Sequence, residues 1–215
     1  SLFDVAATSV PAYASGIHPS QAEEKAHRAR QQGFTAFKVK VGFGDALDRA
    51  GVAAAREMIG DDARLMIDAN QAWALPEHAG EAINRLKDFS LSWVEEPLPA
   101  NTQPGTWQTL TKITDVPLAG GENLPTLDGV ADYWRANRFA FLQPDIGKIG
   151  GFTGLLRIFG RKAALSSDRV CVYCPHWLGG MVGLAASAHL LAVVGGPGLL
   201  EVDVNDNPIS ENLAD

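Results

Sequence analysis

Leu65-Met66-Ile67-Asp68-Ala69-Asn70 opens a pattern that recurs twice, in Trp93-Val94-Glu95-Glu96-Pro97 and in Pro117-Leu118-Ala119-Gly120-Gly121-Glu122-Asn123. Asp68 to Glu95 is 27 residues, and Glu95 to Glu122 is 27 again. Each acid closes a short apolar run, and that interval holds one strand, one helix and two loops. Three successive parallel strands are therefore expected, each ending in a carboxylate. In a closed barrel such ends converge on one mouth, where three hard oxygen donors point to a divalent cation such as Mg2+.

The same alternation continues on both sides of this stretch. Strands are expected near 10–14, 34–41, 65–68, 91–95, 116–120, 139–143, 170–173 and 199–202, with seven helices between them. Ser20, with Glu23 three residues on, reads as a capping box for the first helix, and Gly33 as its stop. Later helices are expected over 45–59, from Pro76 to about Lys87, from about 104 to 113, after Pro125 to about Arg135, from the Gly150-Gly151 turn to about Leu165, and over 179–194. The order predicts an α/β fold, a modified TIM barrel of (β/α)7β form with eight parallel strands, right-handed crossovers and no final helix. One catalytic barrel domain over 1–215 is expected, because no linker, low-complexity tract or charge block divides the chain.

With 215 residues, 46% hydrophobic and 20% charged, the composition is that of an ordinary globular protein. A net charge of −7 and a pI near 5.2 argue against nucleic acid or an anionic membrane as partner. No basic segment leads into an apolar one at the start, and the longest apolar stretch, Met181 to Val194, is too short to span a bilayer and carries His189. Cys171 and Cys174 stand three apart on a strand and so on opposite faces, which favours reduced thiols in a cytoplasmic protein over a shared metal. The chain opens on Ser1-Leu2-Phe3 without a methionine, and is expected to be a piece of something longer.

In Phe37-Lys38-Val39-Lys40-Val41 the apolar residues share one face and both lysines the other. A half-exposed strand with a solvated face is one reading. Between helices the apolar face packs outward instead, so both lysines point inward and need anions, which the carboxylate mouth supplies. A neighbouring cation and metal favour a neutral Lys40 as general base. After strands six and seven come Gln143-Pro144-Asp145 and Cys174-Pro175-His176-Trp177, placing Asp145 within reach of His176 so that the acid can fix the imidazole tautomer. His18, His27, His78 and His189 fall on helices or loops away from strand ends. Glu96 reads as a helix cap or solvated loop acid, Gly147 to Gly151 as a tight turn rather than a phosphate cradle, and Glu201 as a surface acid or a substrate contact.

Together, Lys38-Val39-Lys40, Asp68-Ala69-Asn70, Glu95-Glu96-Pro97, Gly121-Glu122-Asn123, Asp145 through Lys148 with Gly150-Gly151, His176 and Glu201 resemble the enolase superfamily, specifically the mandelate racemase group (mandelate racemase/muconate lactonizing enzyme family). The resemblance implies one Mg2+ held by Asp68, Glu95 and Glu122, Lys40 as one acid/base, and His176 with Asp145 as the other. It implies substrate contacts from Lys38, Glu201 and Asn70. The reaction it implies is abstraction of the proton α to a carboxylate through an enediolate. The surroundings of His176 and Glu201 look more like the acid-sugar dehydratases, a lyase reading, with a racemase or epimerase of a 2-hydroxy acid and an inactive or purely binding barrel as alternatives. A small hydroxy-carboxylate substrate and a homo-oligomer are expected. Nothing in the chain corresponds to the family's N-terminal α+β capping domain, so either a longer protein or an uncapped barrel is expected.

Overall fold

The computed structural model describes residues 9–136, 138–160 and 171–207. The expected run of the sixth helix to Leu165, the start of the seventh strand at Val170 and the opening Ser1-Leu2-Phe3 lie outside them. The chain forms two compact units, one of Tyr13–Ala119 and one of Ser1–Ala12 with Gly120–Asp215.

The unit of Tyr13–Ala119 contains β1 (Ala12–Ile17, entered at its second residue), β2 (Ala36–Lys40), β3 (Arg64–Asp68), β4 (Leu91–Glu95) and most of β5 (Leu118–Gly120). Helices α1 (Ala22–Gln31), α2 (Asp45–Ile59), α3 (Pro76–Asn84) and α4 (Pro104–Ile113) alternate with them. Each strand pairs in parallel with its predecessor, and the register aligns Lys40 with Asp68 and Asp68 with Glu95. Leu65, Met66 and Ile67 are all fully buried, so both faces of β3 are covered, as a parallel sheet between helices requires.

Local chemistry explains most boundaries in this unit. Pro76 and Pro104 occupy the first turns of α3 and α4, where a missing N–H is harmless. Asp48, in the first turn of α2, accepts the amides of Gly42 and Phe43 at 2.9 and 3.1 Å and ties the β2 loop to the helix start. The expected Ser20 capping box does not form. Pro19 is buried where Gly51 of α2 admits it, and starts a short 3-10 turn over Pro19–Gln21; His18 Nδ1 accepts the Ser20 amide at 3.2 Å, and α1 begins only at Ala22.

At the other end of the strands, Arg56 in the last turn of α2 donates to the carbonyls of Gly60, Ala63, Phe89 and Ser90 at 2.7, 2.8, 3.0 and 3.4 Å. These carbonyls lie just before β3 and β4. One planar cation thus fastens the helix to the entrances of two strands. Burial lowers its pKa from the usual value, against the opposing charge of Asp61.

The second unit contains β6 (Phe141–Leu142), β7 (Val172–Tyr173), β8 (Leu200–Asp203), α5 (Leu127–Arg135), α6 (Gly151–Phe159) and α7 (Met181–Val194). Within it Gln143 donates to Gly120 at 2.8 Å, β6 pairs in parallel with β7, and Leu200 donates to Pro11 at 2.8 Å. Aromatic contacts run from Trp134 of α5 through Phe159 of α6 to Tyr173 of β7, with centroids 4.7 and 4.5 Å apart. Thr126 caps α5 by accepting the Gly129 amide at 3.0 Å. Strand and helix alternate in the order the sequence predicts, and the fold class is parallel α/β. Among the described residues no helix is long and apolar enough to cross a membrane; Cys171 and Cys174 are buried, and Cys174 Sγ accepts the Leu199 amide at 3.4 Å.

Candidate active site

The first unit gathers two lysines and two acids at the ends of β2, β3 and β4. Lys38 is 1% exposed, donates to both carboxylate oxygens of Glu95 at 2.7 Å and lies 3.8 Å from Asp68. Its ammonium also stands 5.3 Å over the ring of Tyr13, which meets Trp93 edge-on. Lys40 is more open, at 23% side-chain exposure, and donates to Asp68 at 3.2 Å and to Asn70 Oδ1 at 2.6 Å. The Asn70 amide returns to Asp68 Oδ1 at 2.9 Å. Two ammonium groups therefore face two carboxylates, the compensation the inward-facing lysines were expected to need. Lys38, expected as a substrate contact, is here buried on Glu95.

The loops leaving β3 and β4 take left-handed backbone at Asn70 (φ 43°), Gln71 (φ 65°) and Glu96 (φ 39°). Asparagine tolerates this region; for glutamine and glutamate it costs about 1–2 kcal/mol each. Bonds between the two loops offset that cost. Gln71 donates its amide to Glu96 O at 2.7 Å and its side chain to Glu96 Oε2 at 3.0 Å, while its own Oε1 accepts the Ala100 amide at 2.9 Å. Glu96 is 4% exposed, so the expectation of a cap or solvated acid is corrected: the left-handed turn after Glu95 brings its carboxylate to Gln71.

The second unit places Asp145, His176, Glu122, Glu201 and Lys148 together. Asp145 and His176 form a parallel bridge, and Asp145 Oδ2 is 2.9 Å from His176 Nδ1. Asp145 Oδ1 accepts the amides of Gly147 and Lys148 at 2.7 and 3.1 Å. Burial works to raise the Asp145 pKa, but the His176 bond and charge and these two amides outweigh it and hold the carboxyl below its usual 3.8. On the other side of the ring, His176 Nε2 contacts Glu122 and lies 3.8 Å from Glu201. Burial opposes a charged imidazole; the bonds to Asp145 and Glu122 and the charges of Glu201 and Glu122 prevail and push its pKa from 6.5 up to about 10. With no metal on Glu122, each ring nitrogen faces a carboxylate, which favours the imidazolium.

Glu201 is fully buried and accepts the Trp177 amide at 3.0 Å, which removes the surface-acid reading. Lys148 approaches Glu122 at 3.4 Å. Trp177, which sequence reasoning left unassigned, donates from Nε1 to Gly180 O at 3.0 Å and lies so close to α7 that a Cβ at Gly183 would stand 1.9 Å from its ring. Its only sequence signal was its place directly after His176. His27, His78 and His189 are exposed, His18 is partly so, and none joins either cluster.

Asp68 and Glu95 are buried hard-oxygen donors, aligned on neighbouring strands, and fit in kind what Mg2+ takes. Glu122, in the second unit, is a third such acid. Among the described residues no group of three or more His, Cys, Asp or Glu side chains is arranged to hold a metal ion.

Residues 21–215 match the family model described as enolase C-terminal domain-like. The D-galactarolactone cycloisomerase of Agrobacterium fabrum is 35% identical over 194 residues, covering 86% of this chain and 50% of that protein. The solved mandelate racemase/muconate lactonizing enzyme from Bordetella bronchiseptica RB50 superposes with a TM-score of 0.88 at 42% identity, covering 97% of this chain and 57% of that one. A racemase from Streptomyces coelicolor A3(2) solved with bound magnesium gives 0.78 at 29% identity, covering 94% and 55%. The curated relatives include cycloisomerases, dehydratases and epimerases, and the chain spans about half the length of the first of them.

Proposed function

The chain belongs to the enolase C-terminal domain-like family, and on that premise we propose that it carries the barrel of a Mg2+-dependent lyase that dehydrates an acid sugar, an aldonate or aldarate, to a 2-keto-3-deoxy acid. Asp68, Glu95 and Glu122 are the proposed Mg2+ ligands, from their places at the ends of three successive strands. When bound, Mg2+ supplies Lewis-acid polarisation of the substrate carboxylate. Lys40 takes the α-proton at Nζ, and the electron pair left on the substrate gives an enediolate. Lys38, Asn70 and Glu201 bind and orient the hydroxy-carboxylate. Collapse of the enediolate breaks the β-carbon–oxygen bond, His176 gives its proton to the departing hydroxyl, and water and an enol leave; the enol becomes the 2-keto acid.

The observation that supports this reading is the Asp145–His176 pair, with Oδ2 2.9 Å from Nδ1, a carboxylate that orients the imidazole and favours its protonated form. A strong base as leaving group needs an acid in place before the bond breaks, and a ring with both nitrogens protonated is one. A racemase or epimerase stands as the second reading, favoured by the epimerase among the relatives.

The test is a panel of aldonates, aldarates and their lactones with Mg2+, read in D2O. A semicarbazide-reactive keto product supports dehydration. Deuterium uptake with loss of optical rotation and no keto product supports the racemase. Calorimetric binding without α-proton exchange supports a binding barrel. Full turnover in Lys40→Ala and His176→Asn sinks both catalytic readings.

A further inference from the structure

We propose that Gln71 and Glu96 are positioning residues of the site, a buried brace that sets Asp68, Asn70 and Lys40 in place; its activity readout rests on the function proposed above. Three observations in one unit lead there. First, of the non-glycine residues in left-handed backbone, Asn70, Gln71 and Glu96 cluster just beyond site carboxylates, while Ser90 ends a 3-10 turn elsewhere. A conformation that side chains avoid persists only where the surroundings fix it, and here the surroundings are the two loops themselves.

Second, Gln71 directs three of its polar groups to the neighbouring loop. Its backbone N–H bonds Glu96 O, its side-chain amide nitrogen bonds Glu96 Oε2, and its side-chain oxygen accepts from Ala100. Third, the residue this arrangement holds in its unusual backbone, Asn70, is the one that touches the chemistry. Its N–H fixes one oxygen of Asp68 and its side-chain oxygen takes the Lys40 ammonium at 2.6 Å. A relaxed Gln71 would let Asn70 return to ordinary backbone, swing its amide away from Asp68 and release Lys40. Burial of Glu96 at 4% exposure makes the bond a geometric constraint rather than a solvated contact.

The experiment uses the full chain in four forms: wild type, Gln71→Glu, Glu96→Gln, and the two changes together. Gln71→Glu sets two carboxylates against each other. Glu96→Gln keeps an oxygen for the Gln71 amide. The exchanged pair restores an amide-to-carboxylate bond in the reverse sense and leaves a carboxylate oxygen at position 71 for the Ala100 amide. Hydrogen exchange is followed at the amides of Asn70, Gln71 and Ala100, Mg2+ affinity by calorimetry, and kcat and KM on an acid sugar that the wild type accepts.

Gln71→Glu is expected to speed amide exchange at those three positions, to weaken Mg2+ binding about 10–100-fold and to lower kcat by a similar factor with a smaller change in KM. Glu96→Gln, which trades the carboxylate acceptor for a neutral oxygen, is expected to fall between wild type and Gln71→Glu, and the exchanged pair to return all readouts toward wild type. Wild-type behaviour of Gln71→Glu overturns the brace, as does an exchanged pair no better than Gln71→Glu alone. A wild type that neither binds Mg2+ nor exchanges an α-proton refutes the proposed function instead, and the amide-exchange series then decides the brace by itself.

Discussion

Replacing Lys38 by methionine keeps the stem and removes the charge, and its effect can be sized from the geometry. At 2.7 Å from Glu95, with the effective dielectric of about 20 that suits protein sites, the gross attraction is about 6 kcal/mol. Most of that offsets the desolvation of two groups that are each 1% exposed, so the pair's net worth is small. Removing one partner is different, because Glu95 then stays buried beside Asp68 without its cation. Such a break costs about 3–5 kcal/mol. With a urea dependence of about 2–3 kcal/mol per molar, the unfolding midpoint falls by roughly 1.5 M. The double change Lys38→Met with Glu95→Leu, which removes both charges, is expected to recover most of the loss. Urea titration followed by tryptophan fluorescence measures all three forms. A single variant within about 1 kcal/mol of wild type, or a double variant no better than the single, refutes the account of Lys38 as the cation that makes Glu95 tolerable.

Three further outcomes are expected. Arg56→Ala should destabilise by about 3 kcal/mol, since four carbonyls lose a charged donor, and Arg56→Lys should recover only part because an ammonium cannot span them; thermal melts that leave Arg56→Ala unchanged exclude the fastening role. Gly51→Ala should lower stability by about 1–2 kcal/mol although alanine is the better helix former, because its Cβ would stand 2.5 Å from that of Pro19; a raised Tm contradicts this. In metal-free protein, His176 has a folded pKa raised to about 10 from 6.5, so its contribution is full below about 6.5 and is lost as pH rises toward about 10. Urea midpoints in EDTA across that window should therefore fall more steeply for wild type than for His176→Gln, and equal slopes refute the charged imidazole.

The spacing of Asp68, Glu95 and Glu122 disclosed the strand ends because a βα unit has a characteristic length, and α2 and α4 were legible to the residue from their Asp, Pro and Gly punctuation. Pairing of Asp145 with His176 followed from successive strand ends. What stayed hidden depended on register or on tertiary contact. The clasp of Lys38 on Glu95 joins residues 57 apart and depends on how far each strand slides. Ser20 offered a sound local cap that the contact of Pro19 with Gly51 overrode. β6 spans Phe141–Leu142 where five residues were expected, since an apolar run marks burial and not the extent of pairing. Glu96 was opaque because no propensity places a glutamate in left-handed backbone; only the partner loop does.

Helix α7 carries no charged side chain along Met181–Val194 other than the single ionisable ring of His189, so no polar stripe tells it which side to turn inward. The notch at Gly183, into which the Trp177 indole fits, supplies the missing keying. A rod that could roll about its own axis is stopped at one angle by a single missing methyl. Since Trp177 hangs by its amide from Glu201 and adjoins His176 in sequence, the angular setting of a helix is tied to the surroundings of the imidazole through one tooth and one groove.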